Sequence, residues 1–301
     1  MAIIKLPNHP WKKRGGFGRS TLWDAIPNCF CIHRQTYQTI IIIYYLHSMH
    51  TKNTIMTKMD LRIHIAPVGF EIDRIVLPAK KRRADKVYLM VHDNPSEDKA
   101  GPFIEKIKKQ LAKENIEVAI EKHDRLNLFK IIKSIKQIIE KEKGNKIYVN
   151  LASGSKIQAI AGMMACMMFN DEKNVIPFYV EAEEYLGFKG QQISSGIKEP
   201  MDIPSYEIKI PEQKHIQALN LIMKKGGKLT KKEMAELADT HKLITVNAEK
   251  ENYSQARFTS LDKNIIEPLK EQWKFIEVEK IGRNHWIKIT KEGINAAEFL
   301  I

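Results

Sequence analysis

Lys146-Ile147-Tyr148-Val149-Asn150-Leu151-Ala152-Ser153-Gly154-Ser155-Lys156 passes from an apolar strand through small polar residues into an apolar helix that continues to Phe169. A strand that opens in this way onto a helix N-terminus makes a place for an anion. Small side chains let backbone N–H groups approach it, and the positive end of the helix dipole points at the same spot. Lys156 adds a full charge. The same residues also read as a plain helix cap, with Ser153 or Ser155 satisfying orphan N–H groups.

Working outward, strands and helices alternate. Leu61 to Pro67, Lys86 to Val91, Ile116 to Ile120, Lys146 to Val149 and Val175 to Val180 read as strands. Between them, helices are expected over Asp73 to Lys81, after Pro102, from Leu128 to Ile139 and from Lys156. Repeated β-α units predict an α/β fold, a parallel sheet covered by helices on both faces. With strand order 3-2-1-4-5, ligands bind outside the carboxyl ends of strands one and four. The loops there are Pro67 to Arg74 and Asn150 to Lys156. The helix after the second loop carries Met163, Met164, Met167 and Met168 and is apolar nearly all round, which predicts a second surface to cover and hence a homodimer.

The C-terminal part changes pattern. Glu212 to Lys224 reads as a helix stopped by Gly226-Gly227; Thr230 and Glu233 form a capping box before a second helix; Ser254 is expected to cap a third. Phe275 to Val278 and Trp286 to Ile289 read as a hairpin, and Lys291 to Phe299 as a closing helix. Three helices and a two-stranded wing are the order of a winged helix-turn-helix, whose third helix enters the major groove. Ser254, Gln255, Arg257, Thr259 and Lys263 are then candidates to contact bases or backbone, with Arg283, Asn284 and His285 at the wing tip. Ordinary solvated polar residues on an interaction-only module are the other reading of the same positions.

The formal charge of +13 sits unevenly: residues 1–58 hold eight basic and one acidic side chain, residues 59–204 hold 24 and 21, and residues 205–301 hold 17 and 14. The excess on the patterned part is modest, so an argument for DNA rests on where charges lie. Residues 1–58 show no sustained period, and their apolar run, Ile40 to Leu46, is too short to span a bilayer. They are expected to be a disordered or spurious extension, with translation beginning at Met56 or Met59; a functional basic arm is the rival reading. Cys29, Cys31 and Cys166 are too few for a disulfide framework and predict a reducing, cytoplasmic setting, with Cys166 packed as a small hydrophobe. Cys29-Phe30-Cys31-Ile32-His33 has no second ligand pair, so no metal is expected. Dinucleotide, Walker and nucleophile-elbow motifs are absent, and no cofactor is expected. His64, His92 and His123 read as satisfied core or edge histidines.

Ala66-Pro67-Val68-Gly69-Phe70-Glu71-Ile72-Asp73-Arg74 together with Asn150 to Lys156 resembles the two signature loops of CARF domains, the CRISPR-associated Rossmann-fold sensors. The similarity is greatest to archaeal members with a C-terminal winged helix that act as transcriptional regulators. It implies a Rossmann-like sensing and dimerisation domain over residues 59–204 and a winged helix-turn-helix over 205–301. It further implies a cyclic oligoadenylate, preferably cyclic tetra-adenylate, lying across the two-fold axis of a homodimer. Gly69, Phe70 and Asp73 would shape one wall, and Asn150, Ser153, Gly154, Ser155 and Lys156 would meet ribose and phosphate. Where the family usually has adjacent glycines, this chain has Gly154-Ser155. The resemblance implies a regulator that binds operator DNA in response to the ring. A metal-independent ring nuclease, with Ser153 or Ser155 and Lys156 positioning the ring, is the alternative; no general base is visible in the sequence. An effector whose winged helix binds protein or RNA is the third.

Overall fold

Strand β1 (Arg62–Pro67) is buried at every position but its first, as a central parallel strand must be when helices cover both faces. The computed structural model describes residues 60–171, 173–187 and 192–301. Expectations for residues 1–58, for Cys29 and Cys31, for the run Ile40 to Leu46 and for a start at Met56 or Met59 lie outside the described residues.

β1 pairs in parallel with β2 (Lys86–His92) on one side and β4 (Lys146–Asn150) on the other. β3 (Glu117–His123) extends the sheet beyond β2, and β5 (Val175–Tyr179) beyond β4. The order is the expected 3-2-1-4-5, to which a two-residue antiparallel strand (Met201–Asp202) adds at the β5 edge. Helices α1 (Asp73–Lys81) and α2 (Gly101–Lys113) cover one face, packing Ile75, Ile107 and Leu111 on Val87 and Leu89. Helices α3 (Leu128–Lys141) and α4 (Lys156–Met168) cover the other, over Ile63, Ile65, Tyr88 and Met90. Cys166 is fully buried there, as its apolar neighbours require. The alternation of strand side chains between these two cores is the period of two that fixes register.

Helix α5 (Gln213–Lys224), α6 (Lys231–Thr240) and α7 (Tyr253–Leu261) are followed by the wing strands Ile276–Ile281 and Asn284–Ile289. The second wing strand also pairs with Lys228–Thr230, giving the three-stranded sheet of a winged helix. Thr230 and Glu233 form the expected capping box. Ser254 is not a cap: α7 starts one residue earlier, after Asn252, and no side chain bonds its first N–H groups. The third helix also runs further than its pattern suggests, as π turns at Asp262–Ile266 and Pro268–Gln272. Pro268 has no N–H to give the carbonyl of Asn264 four residues back, and that carbonyl accepts from His215 Nε2 at 2.9 Å.

The last helix, α8 (Lys291–Leu300), belongs to both cores. Ala296, Phe299 and Leu300 complete the core under α3 and α4, whereas Ala297 faces the winged-helix core. Phe299 stacks on Phe129 with centroids 6.0 Å apart and planes 10° apart, and Lys136 Nζ donates to the Leu300 carbonyl at 2.8 Å. Residues Asp60–Ile301 accordingly pack as one unit. Among the described residues no helix is long and apolar enough to cross a membrane.

His64 on β1 is buried against Tyr148 and Phe178, and its Nε2 has no hydrogen-bond partner, unlike the satisfied core histidine expected from sequence. Burial, and then the Arg82 guanidinium 4.7 Å above the Tyr148 ring, push its pKa down to about 3. The unfolded chain therefore takes up a proton near pH 6.5 that the folded chain refuses. Stability from the neutral ring is complete above pH 6.5 and falls toward pH 3 by about 1.4 kcal/mol per pH unit. A His64→Leu variant followed by urea denaturation across that range should show a shallower acid slope. Phe299→Ala should cost about 3–5 kcal/mol and lower the midpoint of a single unfolding transition, because both cores lose the same helix.

Candidate ligand-binding site

The loops after β1 and β4 close on each other through two glycines. A Cβ on Gly69 would lie 3.1 Å from both Cα and N of Gly154, and one on Gly154 would lie 2.6 Å from Pro67 Cβ. Gly154 also holds φ at +77°, a conformation L side chains rarely adopt. The two backbones thus meet at the carboxyl ends of β1 and β4, where the chain order reverses.

Asn150 ends β4 and is 1% exposed. Its amide donates to the Arg74 carbonyl on α1 and its oxygen accepts from Ala152 N, both at 2.8 Å. Arg74 in turn is buried, paired with both Glu71 oxygens at 2.8 and 2.9 Å, and donates to the Val180 carbonyl at 3.0 Å. Asp73 accepts from Gly196 N at 3.0 Å and from Gln192 Nε2 at 3.2 Å. These bonds bring the hairpin Glu184–Tyr185 and Ser194–Ser195 beside the start of α1. Phe70 packs edge-on against Phe103 at 5.6 Å.

Ser155, not Ser153, is the cap of α4, and Gln158 three residues on completes a capping box. Gln158 Oε1 lies 2.8 Å from Ser155 N and 2.9 Å from Ser155 Oγ, while its amide nitrogen lies 3.0 Å from His123 Nε2. Burial holds the His123 pKa below the ordinary value, so the ring is neutral. Ser153 is 2% exposed and its hydroxyl has no partner.

Of the residues expected to form the site, Gly154, Ser155 and Lys156 stand exposed at the mouth, with Gly69 half-buried beside them. Lys156 is the exposed first residue of α4 and makes no ion pair among the described residues, so its charge stands beside the N–H groups of the helix start. Asn150 and Ser153 are buried behind this mouth, and Phe70 and Asp73 are half-buried on the first loop and at the start of α1. Sequence reasoning missed Glu71, Arg74, His123 and Gln158. The Ser-x-x-Gln spacing of the capping box was the available signal for the last, and the three-residue spacing of Glu71 and Arg74 for their ion pair; the bonds of Arg74 to Val180 and of His123 to Gln158 are long-range and leave no local signature.

On the winged helix, Ser254, Gln255, Thr259 and Lys263 are exposed along the third helix, and Arg283, Asn284 and His285 at the wing tip. Thr259 Oγ1 donates to the Gln255 carbonyl at 3.1 Å. A hollow of about 480 Å³ lies along this helix, with Asn247, Gln255, Thr259 and Lys263 on its walls. Arg257 does not join them. It is turned toward Asp239, 3.8 Å away, which also accepts from Tyr253. A larger cavity of about 830 Å³ lies away from the loops, at the amino end of β5 between Met167, Tyr206, His215 and Trp273. Among the described residues no group of His, Cys, Asp and Glu could hold a metal.

Residues 62–185 match the family described as HFX_2341_N:-like, N-terminal, and residues 214–301 match the DUF6293 C-terminal winged helix domain. An uncharacterized protein of Methanocaldococcus jannaschii, MJ1513, is 29% identical over 241 residues, which are 71% of this chain and 67% of the relative. Among solved structures, Enterococcus italicus Csm6 bound to cyclic hexa-2′-fluoro-hexa-dAMP aligns with 71% of this chain and 56% of its own, at 13% identity and a TM-score of 0.36. Can2 from Sulfobacillus thermosulfidooxidans in complex with cyclic tetra-adenylate aligns with 79% and 63%, at 12% identity and a TM-score of 0.34. The chain thus spans less than two thirds of either solved structure. The first match falls on the parallel sheet and the second on the winged helix.

A Gly154→Ala variant should lose about 1–3 kcal/mol of stability and push the two loops apart, since the new methyl group meets Pro67 and Gln158 at a positive φ. Urea denaturation, with backbone amide shifts of Gly69 read by NMR, checks both effects.

Proposed function

We propose that this chain, a CARF domain joined to a winged helix, is a cytoplasmic, homodimeric transcription regulator linked to CRISPR defence. Residues 59–204 sense a cyclic oligoadenylate, for which cyclic tetra-adenylate is the preferred ring, and residues 205–301 bind an operator. The observation that carries the reading is the mouth at Gly69, Gly154, Ser155 and Lys156: small residues, a helix start and a cation with no ion pair among the described residues, at the point where strand order reverses.

The site is an open half. A ring with an even number of phosphates shares the two-fold symmetry of a homodimer, so each subunit takes the same half. Support for a dimer comes from α4, where Ile160 is 55% exposed and Met163 and Met167 are half-buried on an apolar surface. On the winged helix, Gln255 and Lys263 are free to reach bases or phosphates, and the wing brings Arg283 to the backbone. α3 and α4 share a core with α8, so a ring that shifts the start of α4 has a packed path to the wing.

The ring-nuclease reading lacks comparable support. His123, which meets the second loop only through Gln158, is 4% exposed and lies behind that residue.

Calorimetric titration with cyclic tetra-adenylate should give one ring per dimer, and Lys156→Ala should weaken binding about tenfold or more. Electrophoretic titration should show operator DNA changing ring affinity by the same factor as the ring changes DNA affinity. A chain that takes up no ring at any accessible concentration overturns the sensor reading, and a ring without effect on DNA overturns the regulator.

A further inference from the structure

The hydrogen-bond network under the second loop fixes which way the Ser155 hydroxyl points. Ser155 N–H at 2.8 Å requires an acceptor, so the oxygen of the Gln158 side chain faces the loop and its NH₂ faces His123. An NH₂ group only donates, so His123 Nε2 accepts and the ring proton sits on Nδ1. The neutral state of His123 agrees with this arrangement. Ser155 Oγ is 2.9 Å from Gln158 Oε1, which has no hydrogen to give; the hydroxyl hydrogen therefore points inward, at Oε1. One lone pair of Oγ faces the Gln158 N–H at 3.4 Å, and the other faces out from an exposed residue.

The mouth therefore presents an acceptor at Ser155 immediately beside a donor cation at Lys156. A phosphate oxygen against Ser155 would set lone pair against lone pair. A hydroxyl group flanking a phosphate satisfies both residues at once, and in a nucleotide ring that group is the ribose 2′-hydroxyl. Resting on the ligand reading above, we infer that Ser155 is a specificity-determining residue, which selects ribose over deoxyribose by accepting a hydrogen bond from a 2′-hydroxyl next to a phosphate held at Lys156. Gln158 and, through it, His123 are positioning residues that keep the Ser155 hydrogen turned inward. Gln158 is 3% exposed and does not touch the ligand.

The test is calorimetric titration of the full chain with cyclic tetra-adenylate and with its all-2′-deoxy counterpart. The wild type should prefer the ribose ring by about tenfold or more, the effect of leaving a desolvated acceptor unpaired. Ser155→Gly, which costs a helix cap only a few tenths of a kcal/mol, should bring the ratio close to one while ring binding persists. Gln158→Leu frees the hydroxyl to rotate and should reduce the ratio severalfold. Gln158→Glu keeps an oxygen toward Ser155 and its second oxygen toward a protonated His123, so the wild-type ratio should return. Equal affinity of the wild type for the two rings, or full preference in Ser155→Gly, overturns this inference and leaves the ligand reading standing. An unchanged ratio in Gln158→Leu overturns the positioning role. Failure of the wild type to bind either ring overturns the ligand reading and this inference together.

Discussion

The backbones of Gly69 and Gly154 touch, and the form of the crevice depends on that contact. Parallel neighbours β1 and β4 deliver two loops to the same end of the sheet, where a side chain at either glycine would crowd the facing loop. Removing both Cβ atoms lets the loops close, and the positive φ at Gly154 turns the second loop upward into α4. The helix start and Lys156 are thereby aimed at solvent beside the first loop.

Beneath this contact Asn150, Arg74 and Asp73 are committed to partners, whereas Ser153 Oγ and His123 Nδ1 are buried without one among the described residues. Asn150 ties the second loop to α1, Arg74 ties α1 to the chain after β5, and Asp73 holds the neighbouring hairpin. Buried amides and ions are stable only when their partners are in place, and removal of one leaves the others unsatisfied. This part of the chain is therefore a rigid base, and the groups left over for a ligand are those at the rim. Preorganisation of that kind reduces the ordering cost of binding.

Much of this was legible in the sequence. The β-α alternation, the strand order and the two loops at the reversal point follow from apolar runs and their spacing, and the winged helix from its element order. Thr230 and Glu233 declared their helix start because a capping box is local. What escaped has a common cause. Arg257 pairs with Asp239 across a turn, His123 reaches Gln158 from a different strand, and His215 meets a carbonyl that Pro268 cannot serve. Such contacts join residues that periodicity treats as independent. Asn150 and Asp73, placed at the crevice by the family resemblance, are bonded to partners 76 and 123 residues away, contacts that no local pattern announces.

Helix α8 has a bearing on how the chain is made. Its Ala296, Phe299 and Leu300 fill the core that α3 and α4 place over the sheet, although some 120 residues separate them from the strand that ends that sheet's parallel run. During synthesis the sheet and its covering helices can pack as soon as β5 emerges, but the outer apolar side of α3 stays open until residues 296–300 clear the ribosome. The nascent chain must carry that exposed apolar face through the whole translation of the winged helix. Folding of the sheet part is thus timed by completion of the winged helix, and a ribosome that stalls within the winged helix leaves a product whose α3 lacks its partner helix.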